Sequence, residues 1–580
     1  MVSSVRHFGL LSASFFIVLC SAILPRLKVD PVALREHKMA RPRVGDETIH
    51  GWSTGYCNVP IDNFAFTSDQ KYLMKYLYNL TYYELGGPIF FYAGNEGSIE
   101  GFAENTGIMF DLAEKFKAAV FFAEHRYYGA SMPFGNLSNA NASYLGYLSS
   151  TQALADFAKL ITLIKTDVLK CPPDTPVIAF GGSYGGMLAA WLRMKYPHIV
   201  SGAWSSSSPL LYFEGGNISP GAFEKVVKEV FISAGCNENA IINGLEAVKN
   251  LSNTAEGRQF LNDLFRIDSM STLTDSTDSK FLVEWIQASM DYMAMVNYPY
   301  PTNFLQPLPG WPVKYSCENF AQSEITDARQ AVTALYQISN VYYNFTGTVA
   351  TNCVNSNVCG DVAIASLGAE AAWSWQTCTE LLLMMCSEGP PNDFFENQCE
   401  AYNGPVEIQL AFCAAEFTRA GWNREFLDVN AIATEYGFDY SAASNIVFTN
   451  GNLDPWSSGG VYANTSGIQE ITKNGIYTFL IDGSAHHLDL RQPNTCDPPS
   501  VKNARFQITN IIDCWVHKNS CSNLPNATPL PPAGSANPQS CKSDLFGYPW
   551  GQDDSSASSR TIFTSMFAIF LPIVLSLECF

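Results

Sequence analysis

Short apolar runs, each followed by a turn and a helix-spaced stretch, set the rhythm of the first part of the chain. Pro88-Ile89-Phe90-Phe91-Tyr92 predicts a buried strand, and Ala93-Gly94-Asn95-Glu96-Gly97 a Gly-rich turn behind it. Ile108, Met109, Leu112 and Phe116 recur at helical spacing, so 108–116 predicts a helix. Residues 118–123 predict the next strand, 150–165 a helix, 177–180 a strand running into a Gly-Gly-Ser-Tyr-Gly-Gly turn, 187–194 an amphipathic helix, and 202–206 one more strand. Strands alternating with helices predict the α/β class: a mostly parallel sheet with helices on both faces and reactive loops at the strands' carboxyl ends.

After residue 211 the alternation stops. Residues 212–440 are mostly helical in pattern, with 223–233, 281–297 and 327–338 as the clearest candidates. Strand patterns return at 445–449 and 477–481, and a last helix is expected over 499–518. The expected organisation is therefore a core built from 59–211 and 441–521, with 212–440 inserted as a helical cap. Eight cysteines fall in that insertion: Cys236, Cys317, Cys353, Cys359, Cys378, Cys386, Cys399 and Cys413. The cap is expected to be tied by disulfides.

The two ends of the sequence lead us to expect entry into the secretory pathway. Residues 1–22 carry Arg6 and His7, an apolar stretch and then Cys20-Ser21-Ala22, the layout of a signal peptide. The chain has 16 cysteines; setting Cys20 and Cys579 aside leaves an even number, scattered without zinc-like pairing, so most are expected in disulfides. Asn79, Asn136, Asn141, Asn217, Asn250, Asn344, Asn464 and Asn526 stand in N-x-S/T sequons and read as glycosylation sites. A formal net charge of −20 repels phosphates and argues against a nucleic-acid binder. Residues 522–560 read as a linker rich in Pro and small polar residues, and 561–580 as an apolar tail. That tail resembles a GPI-attachment signal, with a site near 555–558, a short tail anchor and a purely secreted form remaining as alternatives. A homodimer is also left open.

Candidate chemistry sits at the strand ends. In Gly181-Gly182-Ser183-Tyr184-Gly185 between strand and helix, small neighbours let the chain reverse sharply and lift the Ser183 hydroxyl out. The Tyr184 N–H and the helix N-terminus would face a developing oxyanion. A bare G-x-S-x-G recurs by chance, so the reading needs a base and an acid downstream. Asp454 follows the first late strand, and His486-His487 follow the second. The order Ser, Asp, His on strand-end loops is that of an α/β-hydrolase triad, in which imidazole takes the serine proton and the carboxylate holds the imidazole. Spacing leaves open which histidine is the base, and whether Asp489 and Arg491 pair with His487 or with a substrate carboxylate. An acylating triad calls for no metal and no cofactor.

The motifs GGSYGGMLAAWLRMKYP, FYAGNEG, FFAEHRYYG, SWQTCTE, NGNLDPWSSGG and AHHLDLR resemble those of the secreted and lysosomal prolyl serine peptidases. That is the family of lysosomal Pro-X carboxypeptidase, dipeptidyl peptidase II and thymus-specific serine protease, and the resemblance runs over about residues 59–517. It implies an α/β-hydrolase core with a helical cap, cleaving small proline-containing peptides after proline in an extracellular or lysosomal setting. Carried over by motif, Ser183 is the nucleophile, Asp454 the acid and His486 the base. Gly94 and Asn95 would lie in the loop facing the Ser183 turn, where a second oxyanion donor is found. Trp375, Gln376 and Glu380 would sit near the proline pocket, with Trp456 as a wall beside the acid.

Three departures or ambiguities stand beside the resemblance. Ser98 takes the place of the family's Asp after GNEG, Asp62-Asn63-Phe64 is expected to be structural, and Glu124 and Arg126 are expected to form a buried structural ion pair. A carboxypeptidase needs a cation for the substrate carboxylate, which His487 or Arg491 would supply. A dipeptidyl peptidase releasing X-Pro needs an acidic clamp for the amine, which Glu96 or Glu380 would supply. Both sets are present; a catalytically silent binding protein and a lipase or esterase are the remote alternatives.

Overall fold

The computed structural model describes residues 51–518 apart from 321–322, 361–365, 369 and 469–473, together with 541–542 and 576–578. The expected leader, the sequon at Asn526, and almost all of the linker and the apolar tail lie outside the described residues.

One sheet organises the chain. Its strands are β1 (Ser53–Pro60), β2 (Lys71–Asn79), β3 (Ile89–Ala93), β4 (Ala119–Ala123), β5 (Val177–Gly182), β6 (Gly202–Ser206), β7 (Ile446–Gly451) and β8 (Ile476–Ile481), lying in the order β8-β7-β6-β5-β3-β4-β2-β1. A short β9 (Ser576–Glu578) pairs parallel outside β1. From β4 to β8 every neighbouring pair is parallel, whereas β2 runs antiparallel to both β1 and β4. Strands β3 to β7 are buried at every position, as covered parallel strands must be, which explains their uninterrupted apolar runs. This is the α/β-hydrolase sheet. The β1–β2 hairpin went unread in the sequence: its strands alternate inward and outward residues at the sheet margin and carry no unbroken apolar run.

Helices α1 (Ile108–Phe116), α2 (Ser150–Leu163) and α3 (Tyr184–Lys195) pack on the sheet before β6. The named elements between β6 and β7 are all helical, with α4 (Ala222–Ser233), α5 (Glu238–Ser252), α6 (Ser279–Met295), α7 (Ala328–Asn344), α8 (Glu370–Thr377) and α9 (Pro405–Phe417) the main ones. The starts of α5 and α7 are capped by side chains: Asn237 and Asp327 accept from Ala240 N–H and Gln330 N–H. Helix α7 runs six residues beyond its expected end because Ser339, Val341 and Tyr342 continue its buried face. Helix α10 (Pro499–His517) closes the core.

All eight cysteines of the insertion pair within it: Cys236–Cys317, Cys353–Cys359, Cys378–Cys413 and Cys386–Cys399. Cys496–Cys541 ties the C-terminal part, and Cys171 keeps a free thiol. Cross-links of this kind shrink the unfolded ensemble of the segment they close.

The expected Glu124–Arg126 pair does not form. Both side chains are buried, but Arg126 makes a bidentate bond to Asp156 and Glu124 lies 3.7 Å from Lys75. Each side chain finds its partner on a different element, Arg126 on α2 and Glu124 on β2. Asn63 joins the first network, donating to Asp156 Oδ1 at 2.7 Å, which accounts for the Asp-Asn-Phe stretch as structure.

The sequons differ in access. Asn136, Asn217, Asn250 and Asn464 are exposed, and Asn79 and Asn141 are partly so. Asn344 is buried, its amide oxygen accepting from Val349 N–H and its amide nitrogen donating to Val349 O, so it offers no carboxamide to solvent. Among the described residues no helix is long and apolar enough to cross a membrane.

Candidate active site

Strand β5 ends in a backbone that only a forced turn explains. Ser183 has φ 58° and ψ −129°, and α3 begins at the next residue. A non-glycine residue in that region costs roughly 1–3 kcal/mol and persists only where its surroundings hold it. Ser183 N–H donates to Ser206 O at 2.9 Å, and its carbonyl accepts from Met187 N–H at 3.0 Å. A Cβ on Gly185 would stand 2.1 Å from Asn95 Oδ1 and 2.7 Å from Ala93 O. Only glycine lets the helix start this close to the loop after β3.

That loop is splinted to the turn by Asn95. Its Nδ2 donates to Gly182 O at 2.7 Å, and its Oδ1 accepts from Tyr92 O–H at 2.8 Å. It is thus the Asn95 side chain that touches the Ser183 turn, and Gly94 beside it has no room for a Cβ, which would stand 2.0 Å from Ala123 O. The first N–H groups of α3, Tyr184 among them, lack intrahelical partners by their position and carry the positive end of the helix dipole.

The two late loops meet beside this turn. Asp454 follows β7 and His486 follows β8; His486 Nδ1 and Asp454 Oδ2 are 2.9 Å apart, both side chains buried. Asp454 also accepts from Trp456 N–H at 3.1 Å, which orients the carboxylate. A hydrogen bond at Nδ1 leaves Nε2 as the proton-accepting nitrogen.

His487 lies against the same turn in the left-handed region, with φ 41°. Its ring is 4.4 Å from that of His486, and a Cβ on Gly182 would stand 2.8 Å from its Cδ2. Burial, reinforced by His486 and Arg491, holds its pKa well below the ordinary histidine value, so it is neutral at working pH. Arg491 is buried with its guanidinium over the Tyr298 ring at 4.3 Å and an Nη2 bond to Thr302 Oγ1 at 3.2 Å. Asp489 does not pair with His487. Its carboxylate turns into the sheet, accepting from Trp204 Nε1, Ser206 Oγ and Thr449 Oγ1 at 2.9, 2.6 and 2.6 Å.

Of the remaining expected residues, Glu96 and Trp456 stand at the site and three others stand behind it. Burial pushes Glu96 up to about 7, and its Oε2 is hidden without a hydrogen-bond partner among the described residues. Trp456 is half-buried next to Asp454, edge-on to Phe223 at 4.9 Å. Gln376 donates to Tyr184 Oη at 2.9 Å and to Glu380 Oε1 at 3.2 Å, and Glu380 in turn accepts from Ser150 N–H at 2.7 Å. These two form a relay from the Ser183 turn to the start of α2; burial raises Glu380 to about 7. Trp375 is buried against Phe417 and Phe426, in an aromatic cluster apart from the residues around Ser183. A tryptophan adjacent in sequence to a site residue on a helix points about 100° away from it.

Trp373, not among the expected residues, has its ring 5.4 Å from that of Tyr184. Its spacing of three from Gln376 on one helical face was the available signal. Arg505 on α10 is likewise outside the expected set; it pairs with Asp497 and donates to the carbonyls of Leu488, Asp489 and Arg491. Nothing local in sequence marks an arginine that braces a loop 14–17 residues away.

Residues 59–508 match the family model described as serine carboxypeptidase S28. The chain is 44% identical over 492 residues to prolyl carboxy peptidase like protein 5 of Caenorhabditis elegans, covering 85% of this chain and 94% of that one. It is 40% identical over 473 residues to human (Homo sapiens) lysosomal Pro-X carboxypeptidase, covering 80% and 88%. Among solved structures, the proline iminopeptidase of Mycobacterium smegmatis aligns over 80% of this chain and 98% of its own, at 10% identity and TM-score 0.30. The chain belongs to the serine carboxypeptidase S28 family and is a serine-type peptidase.

Proposed function

We propose that the protein is an exopeptidase that releases the residue following proline from the C-terminus of small peptides, through an acyl-enzyme on Ser183. The observation that carries this reading is the buried His486–Asp454 hydrogen bond beside a strained Ser183. Ser183 Oγ attacks the prolyl carbonyl carbon while His486 Nε2 takes its proton, and Asp454 stabilises the imidazolium. The oxyanion is met by the Tyr184 N–H and a main-chain N–H of the Gly94-Asn95 loop. Collapse expels the leaving amine, protonated by His486; water then attacks the ester by the same route in reverse.

The relatives named Pro-X carboxypeptidase and the Arg491 cation behind neutral His487 support carboxylate recognition. The unpartnered Glu96 oxygen favours a second reading, a dipeptidyl peptidase in which that carboxyl receives the substrate amine. Disulfides and exposed sequons fit a secretory or lysosomal destination.

The test uses two blocked peptides and mass spectrometry. One is N-acetylated and ends in Pro-Phe with a free carboxylate; the other begins Ala-Pro with a free amine and is C-amidated. Loss of Phe from the first only, abolished by Ser183→Ala, is the expected result. Release of Ala-Pro from the second only would establish the dipeptidyl enzyme, and cleavage of neither would overturn both.

A further inference from the structure

The main chain of His486 is held by the helical insertion rather than by the sheet. His486 N–H donates to Met295 O at 2.9 Å, where α6 ends, and His486 O accepts from the Tyr298 hydroxyl at 2.9 Å. One short turn, 295–298, thus takes both peptide groups of that residue. Trp456 Nε1 donates to Met295 Sδ at 3.1 Å, so the same turn also touches the loop of Asp454.

The turn is itself fixed. Tyr298 N–H donates to Val296 O, and Trp311 N–H donates to Tyr298 O. The phenol is fully buried, and Arg491 lies over its ring at 4.3 Å. Burial pushes the hydroxyl up to about 12, so it stays a donor throughout the range in which a histidine base works.

We propose that Tyr298 is a positioning residue, which holds the His486 imidazole on its line to Asp454 by fixing the His486 carbonyl. The inference rests on the triad reading above. A catalytic base displaced by about 1 Å loses on the order of a hundredfold in rate, so one anchoring bond to its backbone is worth a measurable part of that. The helical insertion then supplies half the socket of the base, in addition to covering the site.

The test is Tyr298→Phe, which removes the hydroxyl and keeps the ring under Arg491. Two readouts are taken: steady-state kinetics on the prolyl peptide, and the rate of Ser183 labelling by a fluorophosphonate, which needs the base but no proline recognition. The expected result is a roughly five- to twentyfold fall in both kcat and labelling rate, with KM within about twofold. In an Asp454→Asn background the same change should cost less than about twofold, because the alignment it protects is already lost. An unchanged labelling rate, a loss seen only in KM, or an equal factor in both backgrounds would overturn the proposal.

If Tyr298→Phe does not accumulate as folded protein, difluorotyrosine at 298 preserves the packing and makes the phenol more acidic. The alkaline limb of the labelling profile should then move to lower pH, and an unmoved limb overturns the proposal. Labelling that persists in Ser183→Ala would instead remove the triad reading, a separate failure.

Discussion

His486 and Asp454 leave the carboxyl ends of adjacent strands, β8 and β7, and their side chains close to 2.9 Å in a buried site. The carboxylate can accept only from an Nδ1–H, so it selects the tautomer whose Nε2 is free. Asp454→Asn should lower kcat/KM by about 10³–10⁴ with little change in the unfolding midpoint, because the amide can donate to Nδ1 and favour the wrong tautomer. A fall of less than tenfold in steady-state assays would remove Asp454 from the mechanism.

Gly182→Ala tests how closely His487 must approach the Ser183 turn. The added methyl would stand 2.8 Å from the His487 ring and has nowhere to go without moving the ring or the turn. Activity is expected to fall at least tenfold, with the stability loss confined to about 1–3 kcal/mol as for other overpacked sites. Normal activity would mean that His487 is free to retreat and plays no part in shaping the site.

Arg126 and Asp156 form a fully buried pair that also holds Ile61 O and Tyr147 O. Arg126→Met leaves a buried carboxylate without its partner and should cost about 3–5 kcal/mol in chemical denaturation. Asp156→Leu added to it should recover part of that loss, since the orphaned charge is then gone. A double variant as unstable as the sum of both singles would contradict the pairing as the source.

The pH dependence of stability has two opposing parts. Burial raises Glu96, Glu224 and Glu380 to about 7, so the folded state binds more protons than the unfolded one between about pH 4.5 and 7. Their contribution is complete below the unfolded value and is lost as pH rises through 7. His125, lowered by burial to about 3, and His487 act the other way, since the unfolded chain takes up their protons below about 6.5. The midpoint of thermal unfolding should therefore change little from pH 5 to 6 and fall from pH 6.5 to 8. Glu224→Gln should flatten that fall; an unaltered slope would show that Glu224 does not titrate there.

The parts of this molecule legible in sequence were those written locally. Each central strand is an unbroken apolar run because both its faces are covered, and the Ser183 turn is bracketed by glycines because the helix start crowds Asn95. Asp454 and the His486-His487 pair were legible as candidates because both lie on loops that follow strands, but which histidine meets Asp454 was not written in the spacing. What escaped depended on distant partners. Asn95 splints a turn 87 residues on, Trp375 faces a cluster made by Phe417 and Phe426, and Arg126 chose Asp156 over the glutamate two positions away. Side-chain direction at such positions is decided by tertiary packing, which periodicity does not encode.

Strands β6 and β7 are hydrogen-bonded neighbours, Ser205 opposite Phe448, although the whole helical insertion separates them along the chain. During synthesis β6 therefore emerges as an open edge and stays so until the entire insertion has followed it out. Loop-closure entropy rises only with the logarithm of loop length, so the finished sheet loses little by the delay. The nascent chain carries the risk instead: an apolar parallel edge awaits its partner in a crowded compartment while the cross-links of the insertion are still forming. We expect the yield of this protein to depend on oxidative-folding helpers more than on the intrinsic stability of its core.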